Sequence, residues 1–367
     1  MILAPSVILA RMPLGGQTLC QFHLQYTKQL QPINLRYWLW EVPPTIQSGS
    51  GKCCRGRHEG RFEAMMTMFR AMESSRFAAP LATLLDHGID YAGLFPPAGL
   101  SLDQVVRNYA AYRAGPDRWA LGHLIVPPAR LAEFAAVVTV AGVDPTGWGL
   151  SAPFGADPAE AARVVAEASH GLAGAGVAVV AVESRVADPA DVAALARSVA
   201  PSVAWYGEVD LAAQYDPVLD AIAAGGGFAK IRMGGTTADL FPDPDPVVAF
   251  LLAVTARALP FKATAGLHHP LRGSYRLTYR ADGQSGFMYG YLNLMLATML
   301  AQRGAKATDI RDALLESDPH SVAIQAGELR WRHHRLSEFD RCRTGFHGFG
   351  SCSFREPIDE LGLVLTP

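Results

Sequence analysis

Two lysines thirty-two residues apart, Lys230 in FAKIRMGG and Lys262 in FKATAGLH, are the side chains of this 367-residue chain best placed by type and spacing for covalent chemistry. Each alternates with apolar residues: Ala229, Ile231 and Met233 around the first, Phe261, Ala263 and Ala265 around the second. Alternation of that kind describes a strand with one apolar face and one bearing the cations. The same parity sets Arg232 beside Lys230, and Thr264, Gly266 and His268 beside Lys262. Upstream, VAVVAVESR places Val179, Ala181, Glu183 and Arg185 on one face, and VAWYGEVD does so for Tyr206, Glu208 and Asp210. His123 and Ser151 take matching positions in two earlier runs. Carboxylates and amines converging from neighbouring strands form either a structural ion-pair network or a site where a carboxylate moves protons for an amine nucleophile.

Positioning these groups falls to a regular series of elements. Eight short apolar or β-branched runs are expected as strands at 90–96, 119–127, 147–153, 177–184, 203–210, 228–235, 261–268 and 349–354. Helical stretches separate them, several with clear starts: Ser101 before LDQVV, Asp157-Pro158, Asp188-Pro189 and Asp245-Pro246. Eight alternating units in an α/β chain, with no GxGxxG after the first strand, predict a (β/α)8 TIM barrel and argue against an open doubly wound sheet. The barrel is expected over residues 72–367, with an insertion between strands seven and eight at about 270–345. That insertion reads as a polar loop, an apolar helix near 286–303, a second helix opened by Thr308 and a hairpin in SVAIQAGELRWR. The loop from His269 to Ser285 is expected to act as a mobile cover. Residues 1–71 lack sustained periodicity and are expected to form a weakly ordered, dispensable extension.

Further candidates lie at the strand ends. Arg232, Gly234, Gly235, Arg272, Gly273, Ser351 and Ser353 are of types that grip an anion near the last strands of a barrel. His268 and His269 suit substrate contact or acid/base work. Adjacent histidines on a strand diverge, and no third ligand has diagnostic spacing, so no metal is expected. Cys352 reads as a small buried residue. In IQSGSGKC the first glycine and the final Ser/Thr of a phosphate loop are replaced by Ile46 and Cys53, which excludes that motif.

The strings AKIRMGG and FKATAGLHHP resemble the sixth and seventh strands of class I aldolases of the deoxyribose-phosphate aldolase type. That resemblance implies a Schiff base at Lys230, Lys262 as a neighbouring charge that lowers its pKa, and Glu183 or Glu208 as proton shuttle. Two features depart from the aldolase pattern. Ile231, Arg232 and Met233 replace small hydroxylated residues, Arg232 implying a bound carboxylate or phosphate, and Ala265 and Gly266 followed by His268 and His269 stand where the family has a glycine pair. The resemblance covers two strands and the general order of elements. The expected activity is a carbon-carbon lyase acting on a small anionic carbonyl or phosphosugar compound, with no cofactor. The alternatives are a phosphoribosyltransferase-like transferase on a carboxylate substrate and a non-catalytic ligand-binding barrel.

Composition restricts the partners. Half the residues are hydrophobic and 18% are charged, enough for a large core. Residues 1–71 hold eight Lys/Arg against three Asp/Glu, and the remainder 24 against 31. An acidic body without a basic stripe argues against nucleic acid and for a small anionic molecule. No apolar run has the length of a membrane span. Five cysteines without ligand spacing imply reduced thiols and a cytoplasmic protein. A homo-oligomer is compatible with all of this.

Overall fold

A computed structural model describes residues 6–14, 17–25, 81–155, 157–325 and 327–364. The chain divides into two units, 1–63 and 64–367. In the first, β1 (Ser6–Leu14) and β2 (Gln17–Gln25) pair antiparallel, a regular element in a stretch expected to be weakly ordered. The rest of that extension, including Cys53, Cys54 and the boundary at residue 71, lies outside the described residues.

The second unit is a (β/α)8 barrel. Its strands are β3 (Ile89–Tyr91), β4 (Leu121–Ile125), β5 (Trp148–Pro153), β6 (Val177–Arg185), β7 (Ala204–Glu208), β8 (Phe228–Arg232), β9 (Phe261–Thr264) and β15 (Phe346–Ser351), all parallel. The last strand pairs with both β9 and β3 and closes the ring. Between the strands lie α1 (Leu102–Ala114), α2 (Leu131–Ala141), α3 (Pro158–Gly174), α4 (Pro189–Ser198), α5 (Asp216–Ala224) and α6 (Pro244–Ala256). Ser101, Asp157 and Asp188 accept hydrogen bonds from backbone N–H groups in the first turns of α1, α3 and α4, satisfying donors that a helix start leaves free.

Several boundaries differ from the sequence reading. The repeated PDPDP offers two equivalent starts for α6, and the helix takes the earlier, opening at Pro244 after Asp243. The first strand ends at Tyr91, well short of the expected Pro96. The eighth begins three residues early because Phe346 pairs with Phe261, and Phe354 packs instead in the core.

After β9 come a hairpin of β10 (Gly273–Arg276) and β11 (Ser285–Met288), then α7 (Tyr291–Gln302) and α8 (Ala307–Leu315). Next are a three-stranded antiparallel sheet of β12 (Val322–Gln325), β13 (Glu328–Trp331) and β14 (His334–Leu336), and a short helix α9 (Phe339–Gly345). Thus the expected polar loop contains a hairpin, and α8 opens after Lys306, not at Thr308. Residues 291–301 of α7 are all buried, because the helix packs against α6, α8, α9 and the last barrel strand. A helix apolar on every side can only sit in such an interior. The chain closes with α10 (Arg355–Val364).

Candidate functional site

Alternation holds on the site strands. Ala229, Ile231, Phe261 and Ala263 are fully or almost fully buried in the packing layer between strands and helices. The polar partners between them point inward, as hydrophobic burial on one face of a strand dictates. Register then fixes neighbours: Glu208 lies opposite Lys230, and Lys230 opposite Lys262.

A continuous ion-pair network results. Lys230 Nζ lies 2.8 Å from Oε2 of Glu183 and 2.7 Å from Oε2 of Glu208. Lys262 Nζ donates to Oε1 of Glu183 at 2.6 Å and to Oδ2 of Asp90 at 2.5 Å. Ser151 Oγ donates to the same oxygen of Glu183 at 2.7 Å. His123 joins from strand two: its backbone N–H donates to Asp90 Oδ1 at 2.6 Å and its ring Nδ1 lies 3.4 Å from it. Gly122 makes room for this carboxylate, since a Cβ there would fall 2.3 Å from Asp90 Oδ1.

Asp90 is the site residue that the sequence reading missed. Parity is unreadable on a strand of three residues, although an acid between Ile89 and Tyr91 was the available signal. Burial alone would raise the carboxyl pKa values of Asp90, Glu183 and Glu208, yet the adjoining cations override it and all three are held down. Glu183 is held near 2. Burial works against the Lys262 ammonium, but Asp90 and Glu183 overcome it and push its pKa well above the usual lysine range. The Asp90 charge likewise raises His123 against burial.

The network reaches solvent at one side. Arg185, Glu208 and Arg232 end β6, β7 and β8, and all three line a cleft of about 750 Å³ at the C-terminal mouth of the barrel, together with Asp210, Tyr215 and Phe241. The Nε atoms of Arg232 and Arg185 lie 3.4 and 3.5 Å from Oε1 of Glu208. Their side chains are 41% and 80% exposed, against 3% for Lys262. Lys262 is therefore sealed inside the barrel, while Lys230 lies one hydrogen bond from a wall of the cleft. Arg185 and Arg232 set two guanidinium groups beside Glu208 in the cleft, whose lining also holds Asp191, Asp210, Asp239 and Asp243.

The remaining predicted residues gather elsewhere. Strand seven ends at Thr264 and the chain turns through Ala265 and Gly266, both at positive φ, so parity does not extend to His268. His268 Nδ1 instead lies 3.2 Å from Oε2 of Glu356, and His269 Nδ1 2.8 Å from Oε2 of Glu360 while its ring stacks on Tyr275. Glu356 and Glu360 lie four apart on α10, a helix that the sequence reading left out. Ser353 Oγ accepts from the N–H of Glu356, and Ser351 Oγ from that of Ser353, so both hydroxyls serve the start of this helix.

Arg272 lies over the ring of Phe287 in the hairpin. Gly234 and Gly235 pack beneath Phe241 and Leu240, where any Cβ would meet the rings or methyls at 2.3–2.4 Å. Of the residues expected to form one anion grip, Arg232 lines the cleft, while Arg272, Ser351 and Ser353 are not among its lining residues. Arg185 takes their place beside Arg232. Among the described residues no group of three or more His, Cys, Asp or Glu is arranged to hold a metal ion, and no helix is long and apolar enough to cross a membrane. The chain matches no protein-family model, no curated protein and no solved structure.

Proposed function

We propose that the barrel is a Schiff-base carbon-carbon lyase for a small anionic carbonyl compound, with Lys230 as nucleophile and Glu208 as its proton acceptor. The observation that carries this reading is the position of Lys230, between two carboxylates and next to a cleft whose rim holds two exposed guanidinium groups. Guanidinium groups at a rim suit a carboxylate or phosphate on the substrate.

Binding and activation are coupled in this arrangement. Burial raises the Glu208 pKa, and Lys230, Arg232 and Arg185 together hold it down. A substrate anion that draws the two guanidinium groups to itself removes part of that restraint, and Glu208 becomes basic enough to take a proton from Lys230. The neutral Nζ attacks the carbonyl carbon, and Glu208 returns the proton as the carbinolamine loses water. Glu208, a carboxylate again, takes the proton of the β-hydroxyl, and the Cα–Cβ bond breaks toward the iminium, releasing an aldehyde as the first product and leaving an enamine. Reprotonation of the enamine and hydrolysis release the second product and the free amine.

An anion-binding transferase is the alternative that the two rim arginines also suit, with Lys230 remaining an ion-pair partner throughout. A thermal-shift screen of keto acids, sugar phosphates and phosphoribosyl pyrophosphate distinguishes the two. The lyase reading expects a stabilising carbonyl compound whose presence with borohydride inactivates the protein irreversibly. Stabilisation by the phosphoribosyl donor alone, with no reductive inactivation by any carbonyl compound, would favour the transferase.

A further inference from the structure

A second group of reactive side chains gathers where the chain leaves strands seven and eight. Cys352 follows β15 directly, and its Sγ lies 3.8 Å from Nδ1 and 4.0 Å from Nε2 of His268. His268 meets Glu356 at 3.2 Å. The Tyr279 hydroxyl, from the turn between β10 and β11, donates to the same Glu356 oxygen at 2.8 Å and lies 3.5 Å from the sulfur. Cys352 and His268 are buried, while Tyr279 is half exposed.

Cys342 provides the contrast within the chain. It is fully buried, lies 3.8 Å from the Met295 carbonyl, and burial pushes its thiol up to about 12, which describes an inert structural cysteine. Cys352 has instead an imidazole beside it and a carboxylate beyond, contributed by two segments far apart in sequence. A nucleophile, a base and a group that orients the base are the parts of cysteine-based acyl transfer.

We propose that Cys352 is a nucleophile for activated acyl groups, thioesters or esters of good leaving groups, with His268 as its proton partner, Glu356 orienting His268, and Tyr279 as a latch over the sulfur. The step balances without a co-reactant. The thiol proton passes to His268, the sulfur–carbon bond forms as the bond from the acyl carbon to the leaving sulfur or oxygen breaks, and the leaving group takes the proton from His268. Burial disfavours the imidazolium, but Cys352 and Glu356 outweigh it and hold His268 near 9, so the proton that the sulfur gives up stays on His268 until the leaving group takes it. The other titratable groups here are Tyr91 and Tyr279, both phenols raised by burial, and His269, which burial keeps neutral beside Glu360.

Iodoacetamide labelling of the full chain tests this, with the Cys352 and Cys342 peptides quantified in the same samples from about pH 5 to about pH 10. Cys352 is expected to label at least about tenfold faster than Cys342 at neutral pH. Tyr279→Phe, which keeps the ring and removes the latch bonds, should speed labelling several-fold. His268→Gln should slow labelling of Cys352 several-fold at neutral pH. With p-nitrophenyl acetate, a stoichiometric burst should leave an acetyl group on Cys352. Labelling of Cys352 no faster than of Cys342, an unchanged rate in His268→Gln, or a burst whose acetyl group resides elsewhere would overturn the proposal. Where His268→Gln does not fold, the wild-type rates and Tyr279→Phe decide.

Discussion

Glu183 is shared by two ammonium groups and a hydroxyl, so the barrel interior depends on its charge more than on any neighbour's. Glu183→Gln leaves Lys230 and Lys262 each short of a carboxylate inside the barrel, which should cost about 3–5 kcal/mol of stability. Ser151→Ala removes one hydrogen bond from the same oxygen and should cost about 1 kcal/mol. Denaturant midpoints check both, and equal costs would mean that the charges are not held as described. The pH dependence follows from four groups. The carboxyl groups of Asp90 and Glu183 are depressed in the fold, so their stabilisation is present above the ordinary value of 4.5 for glutamate and 3.8 for aspartate and is lost as the pH falls toward 2. Burial, with the Arg343 and Lys262 charges, holds His347 near 4, so stability also falls as the pH drops from 6.5 through 4. His268 is raised to about 9, and its contribution, complete below 6.5, is lost as the pH rises through 9. Stability should therefore peak near the ordinary histidine value and decline on both sides. A flat profile between about pH 6.5 and 9 would contradict the His268 environment.

At the scale of elements, the hairpin Gly273–Arg276 and Ser285–Met288 is tied to α10 by the Tyr279 hydroxyl, which donates to Glu356. Its turn, residues 277–284, should be the preferred site of limited proteolysis, and an anionic ligand in the cleft should slow the cut. Cleavage elsewhere first, or a rate indifferent to ligand, would argue against a cover. The hairpin illustrates which elements can be read from sequence. Strands in which apolar residues alternate about the charged ones, such as Val177–Arg185 and Phe228–Arg232, declare both their position and their inward face, so Glu183, Glu208, Lys230 and Lys262 are identifiable. GSYR and SGFM carry no apolar alternation and read as loop. Strand one has the same defect at three residues, which hid Asp90. The pairing of His268 and His269 with α10 spans 88 and 91 residues and depends on where the chain turns after Thr264, information that no local pattern contains.

For the whole molecule, the order of eight strands and their helices was legible because each crossover repeats the same pattern, and only closure satisfies both edges of an eight-stranded parallel sheet. Closure also creates the site: strands one, four, five, six and seven can bring Asp90, Glu183, Glu208, Lys230 and Lys262 together only across a barrel interior. A chain beginning at Met72 should keep one cooperative unfolding transition with an unchanged midpoint, because the eight strands all follow it. A broadened or lowered transition would show that the preceding residues contribute to the barrel.

Peptide mapping after borohydride reduction, with a carbonyl ligand taken from the thermal-shift screen, tests the role of Lys230 most directly. The adduct should form on Lys230 and on no other lysine, because Lys262 is sealed and held charged by Asp90 and Glu183. Lys230→Met should lose both the adduct and turnover. An adduct on Lys262, or full turnover in Lys230→Met, would contradict the assignment of Lys230 as the nucleophile.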